Sequence, residues 1–262
     1  MLCAPARAEP QRIVSINLCT DQLLLLLVPE RLVSVSVLAA DPRASTMAVG
    51  AARLPLNHGY AEEIIGFAPD LIVAGLYTTR ATVALLRKLG FAVLELAPAE
   101  RLADIPAQLR RLGEAVNAVP RAERLIADFD TRLARLASTR RGTPPVFVDY
   151  NMNGWISGRN TLLGDIAQTA GLDSLGARLG VQGVRQIALE RLLLARPDLI
   201  AVASRWDAAP ALAPQILRHP AFRDLVGRSR LVPVAESTWA CGLPASLDAL
   251  AVLAEARAEL DR

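Results

Sequence analysis

The chain has 262 residues, of which 52% are hydrophobic and 21% charged, and its formal net charge is +3. This length and hydrophobicity suffice for a sizeable core, as one large domain or two small ones, and exclude an intrinsically disordered protein. The basic residues are scattered among acidic ones, which argues against a nucleic-acid partner, and no apolar run reaches the ~18–20 residues of a membrane span.

The first residues predict export from the cytoplasm. Ala6-Arg7-Ala8 matches the small-x-small pattern of a secretory cleavage site, so we expect a signal peptide and a mature chain that begins near Glu9. Besides Cys3 in that segment, the chain has Cys19 and Cys241, an even number that suits an oxidising compartment. A lipid anchor at Cys3 remains an open alternative.

Helices and strands alternate along the first half. In chain order we predict strand 12–16, helix 19–28 with Asn17 or Thr20 at its cap, strand 32–37, an irregular segment 40–59, helix 61–67, strand 70–74, helix 79–89, strand 91–96 and helix 102–117.

A long helix at 120–139 follows, with an apolar stripe at Leu125, Phe129, Leu133 and Leu136. Beyond the break at 143–145 we predict strand 146–149, helix 162–170, helix 188–195, strand 199–202, helix 221–226, strand 230–234 and helix 245–260. Strands that alternate with helices form mostly parallel sheets. The sequence therefore predicts an α/β protein with an N-terminal lobe over 9–118, a connecting helix within 119–140 and a C-terminal lobe over 141–262.

A weak internal repeat supports two lobes. Glu62-Glu63-Ile64-Ile65-Gly66-Phe67-Ala68-Pro69-Asp70-Leu71-Ile72 is echoed, 128 residues later, by Glu190-Arg191-Leu192-Leu193-Leu194-Ala195-Arg196-Pro197-Asp198-Leu199-Ile200. Each copy reads as a short helix, a Pro-Asp break and a buried strand. The alternative is coincidence, because this pattern is common in α/β proteins.

Motifs of catalysis are missing. No Gly-rich dinucleotide or phosphate loop and no Gly-x-Ser-x-Gly elbow occurs. The only histidines are His58 and His219, too few for a multi-histidine metal site. We therefore expect no catalytic residue, no resident metal and no cofactor.

Aromatic and hydrogen-bonding side chains instead follow the predicted strands. In parallel sheets ligands bind at the carboxyl ends of strands, and aromatic walls with a few polar donors suit a bulky, partly apolar ligand. The alternative is that these side chains only close the sheet ends. The candidate ligand-binding residues are Asn17, Cys19, Tyr60, Tyr77, Thr78, Arg80, Asn151, Asn153, Trp155, Arg205, Trp206, Trp239 and Cys241.

Four segments, 12–17, 69–73, 89–93 and 190–199, resemble the periplasmic binding proteins for iron–siderophore, haem and cobalamin uptake. The resemblance implies two α/β lobes on one rigid backbone helix, a ligand held between them with little hinge motion, and a monomer that serves an ABC permease dimer at the inner membrane. It also implies that Glu62 and Glu190 dock onto that permease.

The resemblance leaves the ligand open. It implies a ferric siderophore or a cobalamin-like corrinoid, and Arg80, Arg159, Arg185 and Arg205 are loop candidates for catecholate oxygens. Haem is an alternative, because haem-binding members use a Tyr or His axial ligand and His58 and Tyr60 lie near a suitable place. Outside this family, an α/β enzyme acting on a small metabolite and a periplasmic sensor module remain alternatives.

The state of the two cysteines also stays open. A bridge between Cys19 and Cys241 would close a loop of about 220 residues and stabilise the protein by roughly 4–5 kcal/mol in the chain-entropy model. The alternative is two separate thiols packed as small apolar groups.

Overall fold

A computed structural model describes residues 9–137, 142–151, 154–202 and 227–260. Contacts cluster into two compact units: unit 1 comprises Met1–Pro98 and Pro106–Ala127, and unit 2 comprises Ala99–Ile105 and Asp128–Arg262. The lobe boundaries expected at 118 and 140 stay predictions.

Unit 1 is built on a sheet of five parallel strands in the order β3-β2-β1-β4-β5. The strands are β1 (Ile13–Ser15), β2 (Leu32–Ser36), β3 (Leu56–Asn57), β4 (Leu71–Gly75) and β5 (Val93–Leu96). Every residue of β1 and β4 is buried, as expected for central strands of a parallel sheet covered on both faces.

The helices of the first half alternate with these strands. They are α1 (Leu18–Leu27), α2 (Ala48–Ala51), α3 (Ala61–Gly66), α4 (Arg80–Lys88), α5 (Asp104–Ala115) and α6 (Val119–Leu136), with 3-10 turns at Pro29–Arg31 and Val37–Ala40. Gly90 follows α4 with φ of 91°, the left-handed conformation of a helix C-cap. Both α5 and α6 contribute residues to unit 1 and to unit 2.

Unit 2 contains a four-stranded parallel sheet in the order β11-β10-β6-β8 and a separate antiparallel ribbon of β7 and β9. The strands are β6 (Val146–Asp149), β7 (Trp155–Ser157), β8 (Asp173–Ser174), β9 (Val184–Gln186), β10 (Leu199–Val202) and β11 (Arg230–Pro233). The helices are α7 (Leu162–Thr169), α8 (Leu175–Arg178), α9 (Leu189–Ala195) and α10 (Ser246–Glu259), with a 3-10 turn at Glu236–Thr238.

The predicted α/β class with mostly parallel sheets is confirmed. The prediction that segment 40–59 is irregular is wrong, because this segment contains α2 and the edge strand β3. The strands β7, β8 and β9 and the helix α8 were not predicted: each is two to four residues long, and β9 is exposed throughout, so no hydrophobic period marks it. The helix predicted at 221–226 lies outside the described residues.

Each unit has its own apolar core. Val14, Ile64 and Ile72 belong to a buried cluster in unit 1, and Val148, Leu192 and Ile200 to one in unit 2. The short helix and the strand of each repeat copy therefore pack into the core of their own unit. No helix among the described residues is long and apolar enough to cross a membrane.

Candidate functional site

Asn17, directly after β1, organises the carboxyl edge of the unit 1 sheet. Its side-chain oxygen accepts hydrogen bonds from the N–H groups of Cys19 at 3.0 Å and Thr20 at 3.4 Å, which caps α1. A Cβ atom at Gly75, the last residue of β4, would lie 2.7 Å from Nδ2 of Asn17. The amide is thus held by the helix start, and glycine at position 75 leaves room for it.

Two tyrosines at this edge expose their rings. Tyr60, after β3, is 63% exposed and Tyr77, after β4, is 76% exposed. His58 stacks on Tyr60 with ring centroids 6.1 Å apart, and its Nδ1 lies 3.0 Å from Oε1 of Glu63. The hydrogen bonds that His58 offers hold the pKa of the Glu63 carboxyl below its usual value. Large exposed rings at strand ends are a surface on which an apolar ligand can pack.

The two other polar candidates in unit 1 differ in whether the side chain already has a partner within the protein. The hydroxyl of Thr78 accepts a hydrogen bond from the N–H of Gly75 at 3.0 Å, so it closes the turn after β4. Arg80 opens α4 and is exposed, without an ion pair among the described residues.

Cys19 and Cys241 are both disulfide-bonded. Cys241 is also buried, with 2% of its surface exposed. The alternative of two separate packed thiols is therefore wrong in this structure, and neither residue can offer a thiolate to a ligand. Their predicted place in the ligand site stays a prediction.

In unit 2 the loop after β6 turns back through Asn151. Its side-chain oxygen accepts a hydrogen bond from the N–H of Trp155 at 3.1 Å, and Trp155, 41% exposed, opens β7. Two expectations are corrected here. Trp155 lies in a strand of the ribbon rather than in a loop, and Tyr150, which directly follows the predicted strand 146–149 and would be a further aromatic at its end, is 2% exposed and belongs to the unit 2 core.

The remaining candidates of unit 2 are less informative. Trp239 follows the 3-10 turn Glu236–Thr238 and is partly buried. Asn153, Arg205 and Trp206 lie outside the described residues.

Sequence reasoning missed a recess of about 570 Å³ in unit 2, here named the unit 2 recess. The β7–β9 ribbon, the segment after α8 and the first turn of α9 border it. Its lining includes Trp155, Leu179, Val181, Arg185, Ile187 and Arg191. The only sequence signals were the aromatic at 155 and the loop arginine at 185, because the ribbon that joins them was not predicted.

A second recess of unit 2, about 590 Å³, has charged groups in its lining, and Asp165, Arg101 and Asp173 among them have partners. The carboxylate of Asp165 accepts from the N–H of Leu102 at 2.8 Å, Arg101 pairs with Asp104 at 3.1 Å and Asp173 pairs with Arg178 at 2.7 Å. Arg159, one of the loop arginines named from the resemblance, also lines this recess and makes no ion pair among the described residues.

Among the residues that the structure describes, each unit has one carboxyl group that is held by serines and has a raised pKa. Asp21 is buried and accepts from the hydroxyl and the N–H of Ser36; burial raises its pKa to about 6, against the opposing effect of these hydrogen bonds. Asp149 accepts from the hydroxyl of Ser157 at 2.6 Å and its N–H at 2.8 Å, and burial likewise raises its pKa to about 6. Neither contacts a histidine or cysteine through these bonds, and no group of three potential metal ligands occurs in the described part of the chain.

The two acids expected to meet a permease are exposed. Glu62 lies in the first turn of α3 and Glu190 in the first turn of α9, where the helix dipole favours negative charge. Neither forms an ion pair within the described ranges. Burial raises the pKa of the Tyr150 hydroxyl, and the negative charge of Glu190 adds to that rise.

Comparison with known proteins identifies relatives across most of the chain. The cobalamin-binding protein of Halobacterium salinarum is 24% identical over 213 residues, which cover 79% of this chain and 57% of that protein, so the chain matches little more than half of that relative's length. The vitamin B12-binding protein of Pectobacterium carotovorum is 27% identical over 215 residues, or 79% of this chain and 76% of that protein.

Solved structures reproduce the fold. The apo form of the periplasmic heme-binding protein RhuT from Roseiflexus sp. RS-1 superposes with a TM-score of 0.79 at 23% identity, over 94% of this chain and 99% of that chain. A family model described as a periplasmic binding protein matches residues 13–226. The resemblance inferred from the sequence is thereby confirmed, and the chain belongs to the periplasmic binding protein family.

Proposed function

We propose that this protein is the periplasmic solute-binding component of an ABC importer, and that it captures a bulky metal chelate, a ferric siderophore or a cobalamin-like corrinoid. The observation that carries the proposal is the exposure of large aromatic rings at strand ends: Tyr60 and Tyr77 in unit 1 and Trp155 in unit 2. Exposed rings of this kind are costly in water and gain free energy when an apolar ligand covers them.

The names of the relatives favour a corrinoid. Two of the proteins described above bind cobalamin or vitamin B12 by name. Haem is the second candidate, because the stacked pair of His58 and Tyr60 presents an imidazole and a phenol together at one strand end, and either group can ligate haem iron.

A role without catalysis is also part of the proposal. The family consists of binding proteins, and the two carboxyl groups with raised pKa, Asp21 and Asp149, are engaged with serine hydroxyls. An enzyme would need a nucleophile or acid–base pair next to a bound substrate. Recovery of the bound chelate chemically unchanged, measured by mass spectrometry after incubation, supports binding alone.

Glu62 and Glu190 are the proposed contacts with the permease, as exposed acids at corresponding places of the repeat. Exposed charges at the rim of an interface govern the rate of encounter and its salt dependence more than affinity for other ligands. The proposal therefore separates two surfaces, the aromatic side chains for the chelate and the two glutamates for the permease.

The test is calorimetric titration of the protein with cyanocobalamin, haemin and ferric enterobactin. We expect one of them to bind with a dissociation constant at or below about 1 μM, and Tyr77→Ala to weaken it by about tenfold through the loss of aromatic contact. The matched control is Val119→Ala, which truncates another exposed apolar side chain, 42% exposed on α6, and should leave the affinity unchanged. If none of the three chelates binds, the proposed function is wrong.

A further inference from the structure

A network of buried polar side chains lies between α1 and the sheet of unit 1. The hydroxyl groups of Ser15 and Thr20 are 2.7 Å apart. Nδ2 of Asn57 donates hydrogen bonds to the carbonyl of Ser15 at 3.0 Å and to the hydroxyl of Ser34 at 2.8 Å. Each of these side chains is buried. A buried polar layer is costly unless its members are hydrogen-bonded, so a member that lacks a partner stands out.

That member is Asp21, which is also fully buried. Its Oδ2 accepts hydrogen bonds from the N–H of Ser36 at 3.2 Å and from the Ser36 hydroxyl. Its Oδ1 is buried and has no hydrogen-bond partner among the described residues. An ionised carboxylate in this position has lost water without full replacement, which costs more free energy than burial of a protonated carboxyl. The fold therefore favours the protonated form, and burial raises the pKa of Asp21 to about 6.

No neighbouring charge offsets this cost within the described part of unit 1. The helix α1 packs against β1, β2, β4, α2 and both 3-10 turns of unit 1. Of these elements only the first turn carries charges, on Glu30 and Arg31, and Arg31 pairs with Glu30 and with Glu9. On α1 itself Cys19 is disulfide-bonded. The raised pKa of Asp21 has burial as its largest cause, and no charged group contributes to it.

Hydrogen bonds and strand pairing connect Asp21 with a residue proposed to contact the chelate. Its partner Ser36 lies opposite Asn57 in the parallel pair of β2 and β3. The side-chain oxygen of Asn57 accepts a hydrogen bond from the N–H of Gly59 at 3.1 Å, and Tyr60 with its exposed ring comes next in the chain. The carboxyl of Asp21 is thus joined through two strand ends to the loop that presents Tyr60.

The same carboxyl belongs to the start of α1. Asp21 lies in the first turn of this helix, and its N–H donates to the carbonyl of Asn17 at 2.9 Å. The side chain of Asn17 caps the helix. If the first turn of α1 moves away from Ser36, Asn17 therefore moves with it.

We infer that Asp21 is a pH-sensitive switch for chelate capture: its protonated carboxyl keeps the first turn of α1 joined to the end of β2, and its ionisation opens this edge of unit 1. The inference rests on the proposed function, in which Asn17 and Tyr60 contact the chelate. Ionisation favours any conformation in which water reaches Oδ1. A chelate that binds the joined conformation is bound more weakly when a smaller fraction of the protein adopts it, so affinity should fall as the pH rises through 6.

The experiment is calorimetric titration at pH 5, 6 and 7.5 with cyanocobalamin, haemin and ferric enterobactin. We expect the affinity of the natural protein for the chelate that it binds to fall by at least about threefold from pH 5 to 7.5, relative to that of Asp21→Asn. Titration of the chelate itself affects both proteins alike, so the difference between their profiles reports on Asp21. Asp128→Asn, which replaces an exposed carboxylate on α6, is the control and should keep the profile of the natural protein.

Two further measurements separate a switch from a purely structural role. The hydrogen bonds from Ser36 lower the pKa of Asp21 against the larger effect of burial, so Ser36→Ala should move the midpoint of the affinity profile to higher pH. Amide hydrogen exchange of the natural protein without ligand reports the opening itself. After correction for the intrinsic exchange rate, protection of the Gly59 amide should fall from pH 5 to 7.5.

Each outcome bears on the inference. Identical pH profiles for the natural protein and Asp21→Asn overturn it, while the proposed function stands. If Asp21→Asn does not fold, an unshifted midpoint in Ser36→Ala overturns it, and so does unchanged protection of the Gly59 amide. If no chelate binds the natural protein at any pH, the proposed function fails and this inference fails with it.

Discussion

Asp70 and Arg12 exchange two hydrogen bonds: the N–H of Arg12 donates to Oδ1 of Asp70 at 3.0 Å, and the N–H of Asp70 donates to the carbonyl of Arg12 at 3.0 Å. In unit 2 the N–H of Val146 donates to Oδ2 of Asp198 at 2.7 Å, and the N–H of Asp198 donates to the carbonyl of Val146 at 2.8 Å. The aspartate of the Pro-Asp break in each repeat copy thus forms hydrogen bonds that join the start of its own strand to the start of the neighbouring strand.

Replacing either aspartate by alanine should lower the free energy of unfolding by about 1–2 kcal/mol, because one or two backbone N–H groups lose a charged acceptor. Denaturant unfolding of Asp70→Ala and Asp198→Ala, followed by circular dichroism, measures this. Asp128→Ala is the control, since Asp128 is exposed on α6 and makes no side-chain bond in the described part of the chain. Equal stability of all three variants would show that the repeated aspartates have no structural role.

The carboxyl group of Asp21 should make stability depend on pH. Burial raises its pKa to about 6 in the folded protein, so between the unfolded value near 4 and pH 6 the folded state binds more protons than the unfolded state. Below pH 4 the protonated carboxyl of Asp21 therefore makes its full contribution to the free energy of unfolding, about 3 kcal/mol. This contribution is lost as the pH rises through 6.

Asp21→Asn removes this titration. The unfolding free energy of the natural protein, relative to that of Asp21→Asn, should fall across the window from pH 4 to 7. Asp128→Asn, which replaces an exposed carboxylate on α6, is the control substitution. A constant difference between Asp21→Asn and the natural protein across that window would contradict the raised pKa.

The disulfide-bonded state of Cys19 and Cys241 predicts the thiol count. The unreduced, denatured protein should offer no alkylatable thiol beyond Cys3, and reduction should add the mass of two hydrogen atoms and expose two further thiols. Loss of a native disulfide costs about 2–5 kcal/mol, so reduction should also lower the thermal midpoint. Two reactive thiols at Cys19 and Cys241 before reduction, in protein isolated from the periplasm, would contradict the structure.

Charge reversal should separate permease docking from ligand binding. Glu62→Lys and Glu190→Lys should each weaken association with the cognate permease and steepen its salt dependence, because both acids are exposed at helix starts. Affinity for the chelate should stay within about twofold of the natural value. Glu255→Lys, at an exposed acid of α10, is the control, and unchanged transport after reversal of both Glu62 and Glu190 would refute the docking role.

The sequence predicted most of the fold because its signals are local. The buried strands β4 and β10, the caps at Asn17 and Gly90 and the Pro-Asp breaks each depend on a few neighbouring residues. Glu62 and Glu190 were named from the family resemblance, and both are exposed in the first turns of α3 and α9.

The tertiary structure alone decided which side chains are available to a ligand. Trp155 and Arg185 line the unit 2 recess because β7 and β9 pair residues that are 27 to 31 positions apart in the sequence, and neither strand has a hydrophobic period that predicts it. Tyr150, which directly follows the predicted strand 146–149, belongs to the buried cluster that also contains Leu192 of α9 and Ile200 of β10. The exposure of a side chain and the pairing of distant strands depend on residues that are far apart in the chain, so a pattern of neighbouring residues cannot predict either of them.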